Sequence, residues 1–206
     1  MIKIKKGKEP NAWSEHRNTP GAVYDAIPEL RASLLLEQGY ICAYCMSRID
    51  EGSSKIEHLK CRSRYPSLSM QYKNMVICCP GNSNNGFQCD KSKGDSDISF
   101  TLFNDHFINT LSYETKNGRI KSSNTQWNDE LDTILNLNNL SLMLNRKNTI
   151  EGVIEALKRK GFDRHRLSSE LNKWKNPDKN NKMKEFCGVV IWYISKRFCR
   201  HTGYGN

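Results

Sequence analysis

Residues 41–95 read ICAYCMSRIDEGSSKIEHLKCRSRYPSLSMQYKNMVICCPGNSNNGFQCDKSKGD and hold six of the chain's eight cysteines. Cys42-Ala-Tyr-Cys45 is half of a tetrahedral metal site, because a two-residue spacer lets one tight turn aim both thiolates at one ion. The other half must come from Cys61, Cys78, Cys79 or Cys89. Cys79 and Cys89, on either side of the loop 80–88, are the chosen pair; zinc–sulfur bonds of ~2.3 Å would then tie distant parts of a small core together. Cys78 and Cys79 are adjacent, so their side chains point opposite ways in an extended segment and the spacing leaves the register between them open. The one that does not ligate packs as a small hydrophobe, as do Cys187 and Cys199 in the last helix.

Between and beside these cysteines stand Glu57, His58, Asn74 and Asp90. Asp90 follows Cys89 directly, and Asn74 shortly precedes the Cys78–Cys79 pair. A shared zinc therefore draws both toward the extended segment Lys55-Ile-Glu-His. A lone histidine in such a segment is more often a packed or surface residue than a catalyst; its company changes that. Neutral imidazole is the natural base for activating water near pH 7. Two carboxylates suit Mg²⁺ or Mn²⁺, which take a few oxygens together with water and a phosphate. An activated water plus counter-charge is what phosphodiester hydrolysis needs. Arg62, Arg64, Lys91 and Lys93 surround the set as candidate phosphate contacts, although each alone is equally a solvated surface charge.

Working outward, the chain has 206 residues, a net charge of +10 and 37% hydrophobic residues, enough for a core and too many for a disordered protein. Residues 158–200 carry 13 Lys/Arg against 4 Asp/Glu, so nearly all the net charge sits there. Such a balance favours an anionic partner, most often nucleic acid. The opening MIKIKKGKEP has no apolar stretch of the secretory kind, and the run 186–194 is too short to cross a bilayer. The expectation is a cytoplasmic chain with reduced cysteines and no membrane association.

Residues 1–19 read as a polar tail or a short edge strand around Ile2 and Ile4, with Pro10 and Pro20 as breaks. Residues 22–39 predict a helix in two pieces, the second starting at Pro28, with Leu30, Leu34, Leu35 and Leu36 on its apolar side and Gly39 as its stop. Residues 71–74 form a helical turn, 80–88 a loop, and 90–94 a short helix. Residues 111–121 predict a hairpin with Asn117-Gly118 in a type I′ turn. Helices follow over 128–135, over 140–160 with Gly161 ending it, over 163–175 with Asp163 as cap, and over 182–200, with basic residues on the outer faces.

The order Cys-x-x-Cys, Glu-His, Asn, Cys and then Cys89-Asp-Lys-Ser-Lys-Gly94 resembles the HNH endonuclease motif on its ββα-metal fold. Further landmarks lie at 4–10 (Ile-Lys-Lys-Gly-Lys-Glu-Pro), 37–46 (Glu-Gln-Gly-Tyr-Ile-Cys-Ala-Tyr-Cys-Met) and 135–138 (Leu-Asn-Leu-Asn). With these the chain resembles the PtuB-type HNH nucleases of Septu and retron-linked antiphage operons. The resemblance implies an α+β, mainly helical fold: a zinc-braced, treble-clef-like ββα-metal core over 40–96, wrapped by N- and C-terminal helices. It implies a single domain over 1–206, with a basic helical part at 128–200. By the same resemblance His58 is the general base, and Glu57 and Asp90 hold the catalytic Mg²⁺ or Mn²⁺. Asn74 orients His58 or steadies its loop. The Asn-to-Cys spacing selects Cys79 over Cys78, so that Cys42, Cys45, Cys79 and Cys89 bind structural Zn²⁺.

The resemblance also implies partners: an ABC-type ATPase (PtuA-like), a DNA or RNA substrate and, in retron-linked systems, a reverse transcriptase with its msDNA. The chain has no Gly-x-x-x-x-Gly-Lys-Ser/Thr loop of its own, so ATP is expected to be handled by the partner. Two positions depart from the usual pattern: Asp90 replaces a His or Asn, and Cys61 stands where a Pro is common. The alternative is a zinc-knuckle subunit that binds nucleic acid or docks the ATPase without catalysis, a role that has no use for His58 beside Glu57.

Overall fold

Four residues with no exposed member, Met75–Cys78 (β2), form the floor on which the rest is laid. In the computed structural model, which describes residues 1–83, 86–160 and 162–201, β2 pairs antiparallel with Lys55–His58 (β1). His58 stands opposite Met75 and Glu57 opposite Val76. Because β2 is enclosed on both faces it reads as a continuous apolar run, whereas β1 turns Lys55 out and Glu57 and His58 in. The loop joining them makes two 3₁₀ turns, Pro66–Leu68 and Tyr72–Asn74.

Two helices precede the sheet. Asn11–Asn18 (α1) begins directly after Pro10 and buries Trp13 completely. The expected tail is thus a helix, missed because one buried tryptophan makes no periodicity. Residues 22–27 are not helical, contrary to expectation; Pro20 and Gly21, the latter at φ +78°, separate them from α1. Pro28–Glu37 (α2) has its proline in the first turn and sets Leu30, Leu34 and Leu35 against β2, while Leu36, placed on the apolar side from sequence, faces solvent. Gly39, at φ +62°, ends the helix; a side chain there would also strike Met183, whose N–H donates to the Gly39 carbonyl at 2.9 Å. At the start of the chain Met1 and Ile4 are buried, and the Ile4 N–H donates to Leu102, but no strand forms.

After β2 the loop includes a two-residue ladder, Asn82–Ser83 (β3) with Gly86–Phe87 (β4), where only irregular chain was expected. Cys89–Lys93 (α3) follows and stops at Gly94. Asp105–Thr110 (α4), capped by the Asn104 side chain, leads into a hairpin of Leu111–Tyr113 (β5) and Ile120–Ser122 (β6). The hairpin is as expected, but its turn is not type I′. That turn needs positive φ at both central residues, and only Gly118 (φ +77°) has it. Instead the Gly118 N–H donates to Glu114 and the Glu114 N–H to Arg119, closing a wider loop. Gly118 is required a second time, since a Cβ there would run into the Met143 carbonyl.

The expected helix at 128–135 is displaced: Thr125–Asp129 (α5), capped by Asn124, passes into a π-helical turn at Glu130–Ile134. Leu140–Lys160 (α6) has the predicted bounds, although Gly161 itself lies outside the described residues. In Arg164–Lys175 (α7) the predicted cap is present, Asp163 Oδ1 accepting from the Arg166 N–H at 2.9 Å. Cys187–His201 (α8) starts five residues late. The Met183 and Phe186 N–H groups donate to Gly39 and Met46 instead of forming a helical turn, and Phe186 takes φ +51°. Cys187 is buried as expected; the Cys199 side chain lies outside the described set. Among the described residues no helix is long and apolar enough to cross a membrane. The outer faces of α7 and α8 carry the basic residues, Arg164, Lys173, Lys196 and Arg197 among them.

Arg146 is the unexpected member of the interior, 2% exposed in the middle of α6. Its guanidinium donates to the Gly118 and Leu137 carbonyls, both at 2.7 Å, and to Asn138 Oδ1 at 3.2 Å. Asn138 in turn pairs with both backbone groups of Ile120, as a neighbouring strand would. Arg146→Met keeps the volume but strands two buried carbonyls. We expect it to cost about 3 kcal/mol, read as a lower urea midpoint with unchanged slope.

Candidate active site

The 42–47 turn builds the first half of the metal site. The Met46 N–H donates to Cys42 and the Cys42 N–H to Ser47, and Met46 takes φ +64°, so Cys42 and Cys45 face the same way. Cys79 leaves the end of β2, and Cys89 opens α3 at φ +56°. The sulfurs of Cys42, Cys45, Cys79 and Cys89 all lie within 4.8 Å of one another, and all four residues are buried. Burial opposes a thiolate at Cys42, yet the surrounding thiols of Cys45, Cys78, Cys79 and Cys89 outweigh it and hold its pKa well below normal. Burial pushes the Cys89 thiol up. Four buried sulfur donors with no carboxylate among them fit zinc and leave a hard oxygen-seeking ion poorly served. Cys78 approaches Cys42 but stands outside the foursome, and Cys61 sits apart, 3.4 Å from Ser63 Oγ.

Glu57 and His58, consecutive on β1, are both enclosed, at 4% and 7% exposure. Glu57 Oε1 accepts from the Tyr44 hydroxyl at 2.9 Å and lies 3.0 Å from Lys93 Nζ. Burial, followed by the neighbouring Asp90 carboxyl, outweighs the Lys93 ammonium and lifts the Glu57 pKa to about 8. Two carboxyl groups crowded in this way fit a bound cation, which relieves the repulsion between them. His58 Nε2 is 2.9 Å from the Ser69 carbonyl. Since that oxygen can only accept, Nε2 carries the hydrogen and Nδ1 keeps a free lone pair. Burial lowers the His58 pKa and so favours the neutral ring. Asn74 does not reach His58. Its side chain accepts from the Lys60 N–H and donates to the Lys60 and Leu68 carbonyls, which steadies the loop between the strands.

The four basic candidates divide. Arg62 is exposed and lies over the Tyr24 ring, 4.6 Å from its centre. Arg64 is exposed but engaged with Asp97 and the Asp95 carbonyl. Lys91 is exposed, 2.7 Å from Asn82 and over Phe87. Lys93 corrects the expectation: its side chain is wholly enclosed and holds Glu57, so it is not presented to a phosphate. Two aromatic residues escaped the sequence reading. Tyr44, between the first two cysteines, fixes Glu57. Tyr24 packs edge-on to the His58 ring, 4.6 Å between centres. The first was legible in its adjacency to the knuckle; the second, from the irregular segment before α2, gave no signal.

No protein-family model matches the chain. The chain is similar to "Retron Vc95 putative HNH endonuclease" of Vibrio cholerae serotype O1 biovar El Tor, 29% identical over 150 residues that make up 66% of this chain and 70% of that protein. Within this chain the cluster divides into a bracing half of four thiols and a polar half of Glu57, His58 and Asp90, joined because Cys89 and Asp90 are consecutive.

Lys93→Met leaves a buried carboxyl without its cation. At pH 9, where the Glu57 carboxyl with its pKa of about 8 is mostly ionised in the parent, a loss of about 3 kcal/mol in urea unfolding is expected. The double variant Lys93→Met/Glu57→Gln should recover most of that loss, because the partner is then neutral as well. A double variant no more stable than the single one removes the pair from the account.

Proposed function

We propose that the chain is a metal-dependent HNH-type endonuclease that hydrolyses nucleic-acid phosphodiesters. We further propose that it is the effector of a Septu-like or retron-linked antiphage system, restrained or licensed by an ABC-type ATPase of the PtuA kind. The observation that carries the first part is the enclosed His58, with Nδ1 free, beside two crowded carboxyl groups that fit a cation. The relative's printed name supports the retron link; the ATPase partner rests on the sequence resemblance alone.

In this reading His58 Nδ1 takes a proton from water, whose oxygen bonds to phosphorus as the bond to the leaving sugar oxygen breaks. The Ser69 carbonyl and the Tyr24 ring hold the imidazole in place. Glu57 and Asp90 would hold Mg²⁺ or Mn²⁺, whose chemistry there is to offset charge on the phosphate and the departing oxygen. Tyr44 and Lys93 keep Glu57 aimed, and Arg62 is the exposed cation beside His58 through Tyr24. Cys42, Cys45, Cys79 and Cys89 would hold structural zinc.

The test is incubation of the zinc-loaded chain with plasmid DNA, single-stranded DNA and tRNA in Mg²⁺ or Mn²⁺, with and without an ABC-type ATPase if the neighbouring gene encodes one. Cleavage that EDTA stops is the expected result. No cleavage of any substrate under any of these conditions leaves the non-catalytic zinc-knuckle subunit as the better description. A neighbouring gene without an ATPase would remove the proposed partner.

A further inference from the structure

The last turns of α8 carry two consecutive pairings of a cation with a ring. Lys196 lies over Trp192, 5.1 Å from its centre, and Arg197 over Tyr193 at 5.2 Å. Residues four apart share a helix face, and all four side chains border one cleft. Across from them runs the end of β5 and its loop, Tyr113 to Lys116, and a cleft of about 470 Å³ separates the two. On its far side Trp192, which meets Tyr113 edge to face, borders a second hollow of about 640 Å³. The indole is thus a half-exposed partition and not a core plug.

The charges in the cleft are uncompensated. Lys116, Lys196 and Arg197 are exposed, and none has a carboxylate partner among the described residues. The cleft's acidic residue, Glu114, is already paired with Lys121 and Asn117. None of the residues that line the glutamate–histidine site lines this cleft.

We propose that this cleft binds single-stranded nucleic acid, with a base stacked on Trp192 and phosphates on Lys116, Lys196 and Arg197. The combination of an aromatic face with unpaired cations in one groove is how sequence-tolerant strand binding is built. An acidic peptide would use the cations and leave the indole idle. A lipid surface would need apolar side chains facing out, and among the described residues the exposed large hydrophobics, Val23, Leu36, Phe87, Leu140 and Leu144, all lie elsewhere. The proposal rests on the nuclease reading for the biological role of the bound strand, and not for the chemistry of the cleft.

The experiment measures fluorescence polarisation of a short labelled oligo(dT) and of a duplex of equal length. It uses the full zinc-loaded chain at neutral pH, in a buffer with no added Mg²⁺ or Mn²⁺ and with zinc content checked. Trp192→Leu should weaken oligo(dT) binding about tenfold and duplex binding far less. Lys196→Glu/Arg197→Glu, at exposed positions where folding is not at stake, should weaken oligo(dT) binding and flatten its salt dependence by about 1.4 in log–log slope. Oligo(dT) affinity within twofold of the parent in both variants overturns the proposal. Equal losses on duplex in Trp192→Leu, or competition by polyglutamate as strong as by oligo(dT), also overturn it. If the parent chain cleaves nothing while these variants lose oligo(dT) binding, the nuclease reading fails and the cleft stands. If cleavage is real and the affinities do not move, the reverse holds.

Discussion

His58→Ala is expected to lower the cleavage rate by about 10²–10⁴-fold, the contribution typical of a positioned general base. The loss should fall on the rate at saturating substrate more than on substrate affinity, because Nδ1 acts on water and not on the nucleic acid. The folded protein should survive: His58 donates one neutral hydrogen bond, to Ser69, and packs on Tyr24, so removing the ring costs about 2–3 kcal/mol, less than a domain's net stability. Zinc content should be unchanged, since the ring is not among the four sulfur donors. Added imidazole should return part of the lost rate, a response that a merely structural histidine would not give. Cleavage at the parent rate by this variant would falsify the assignment of His58 as the base.

The second large effect separates adjacent cysteines. Cys79→Ser should lose the metal and with it the fold, because a structural zinc site contributes on the order of 10 kcal/mol and a domain's net stability is about 5–15 kcal/mol. Cys78→Ser should keep a full equivalent of zinc. Its hydroxyl would be buried at the end of β2 with little to bond to, so a loss of about 1–2 kcal/mol is expected. Metal content by mass spectrometry and unfolding by circular dichroism distinguish the two. If Cys78→Ser is the variant that loses zinc, the register of the segment after β2 is wrong by one residue.

The parts of this molecule that could be read in advance are those whose information is local. The two-residue spacer of Cys42 and Cys45, the helical period of 140–160 and the cap at Asp163 each need only a few neighbouring residues. What escaped depends on contacts between segments far apart in the chain. Lys93 looks like any surface lysine until Glu57 is found beside it. Tyr24 sits in an irregular stretch with no periodicity and acquires meaning only against His58. The Asn117-Gly118 pair is a local signal that was half right: the hairpin formed, but the approach of α6 to Gly118 widened its turn. The late start of α8 has the same origin, in backbone groups claimed by the 39–46 turn.

The Cys89 N–H donates at 2.9 Å to the carbonyl of Leu135, just beyond the π-helical turn, and Asn136 and Asn139 reach back to Phe87 and Gln88. A residue of the metal foursome is thereby anchored to chain that begins 46 positions after it. The sulfur-braced unit is consequently no portable cassette. Grafted into another scaffold as residues 40–96 it would arrive without these three hydrogen bonds.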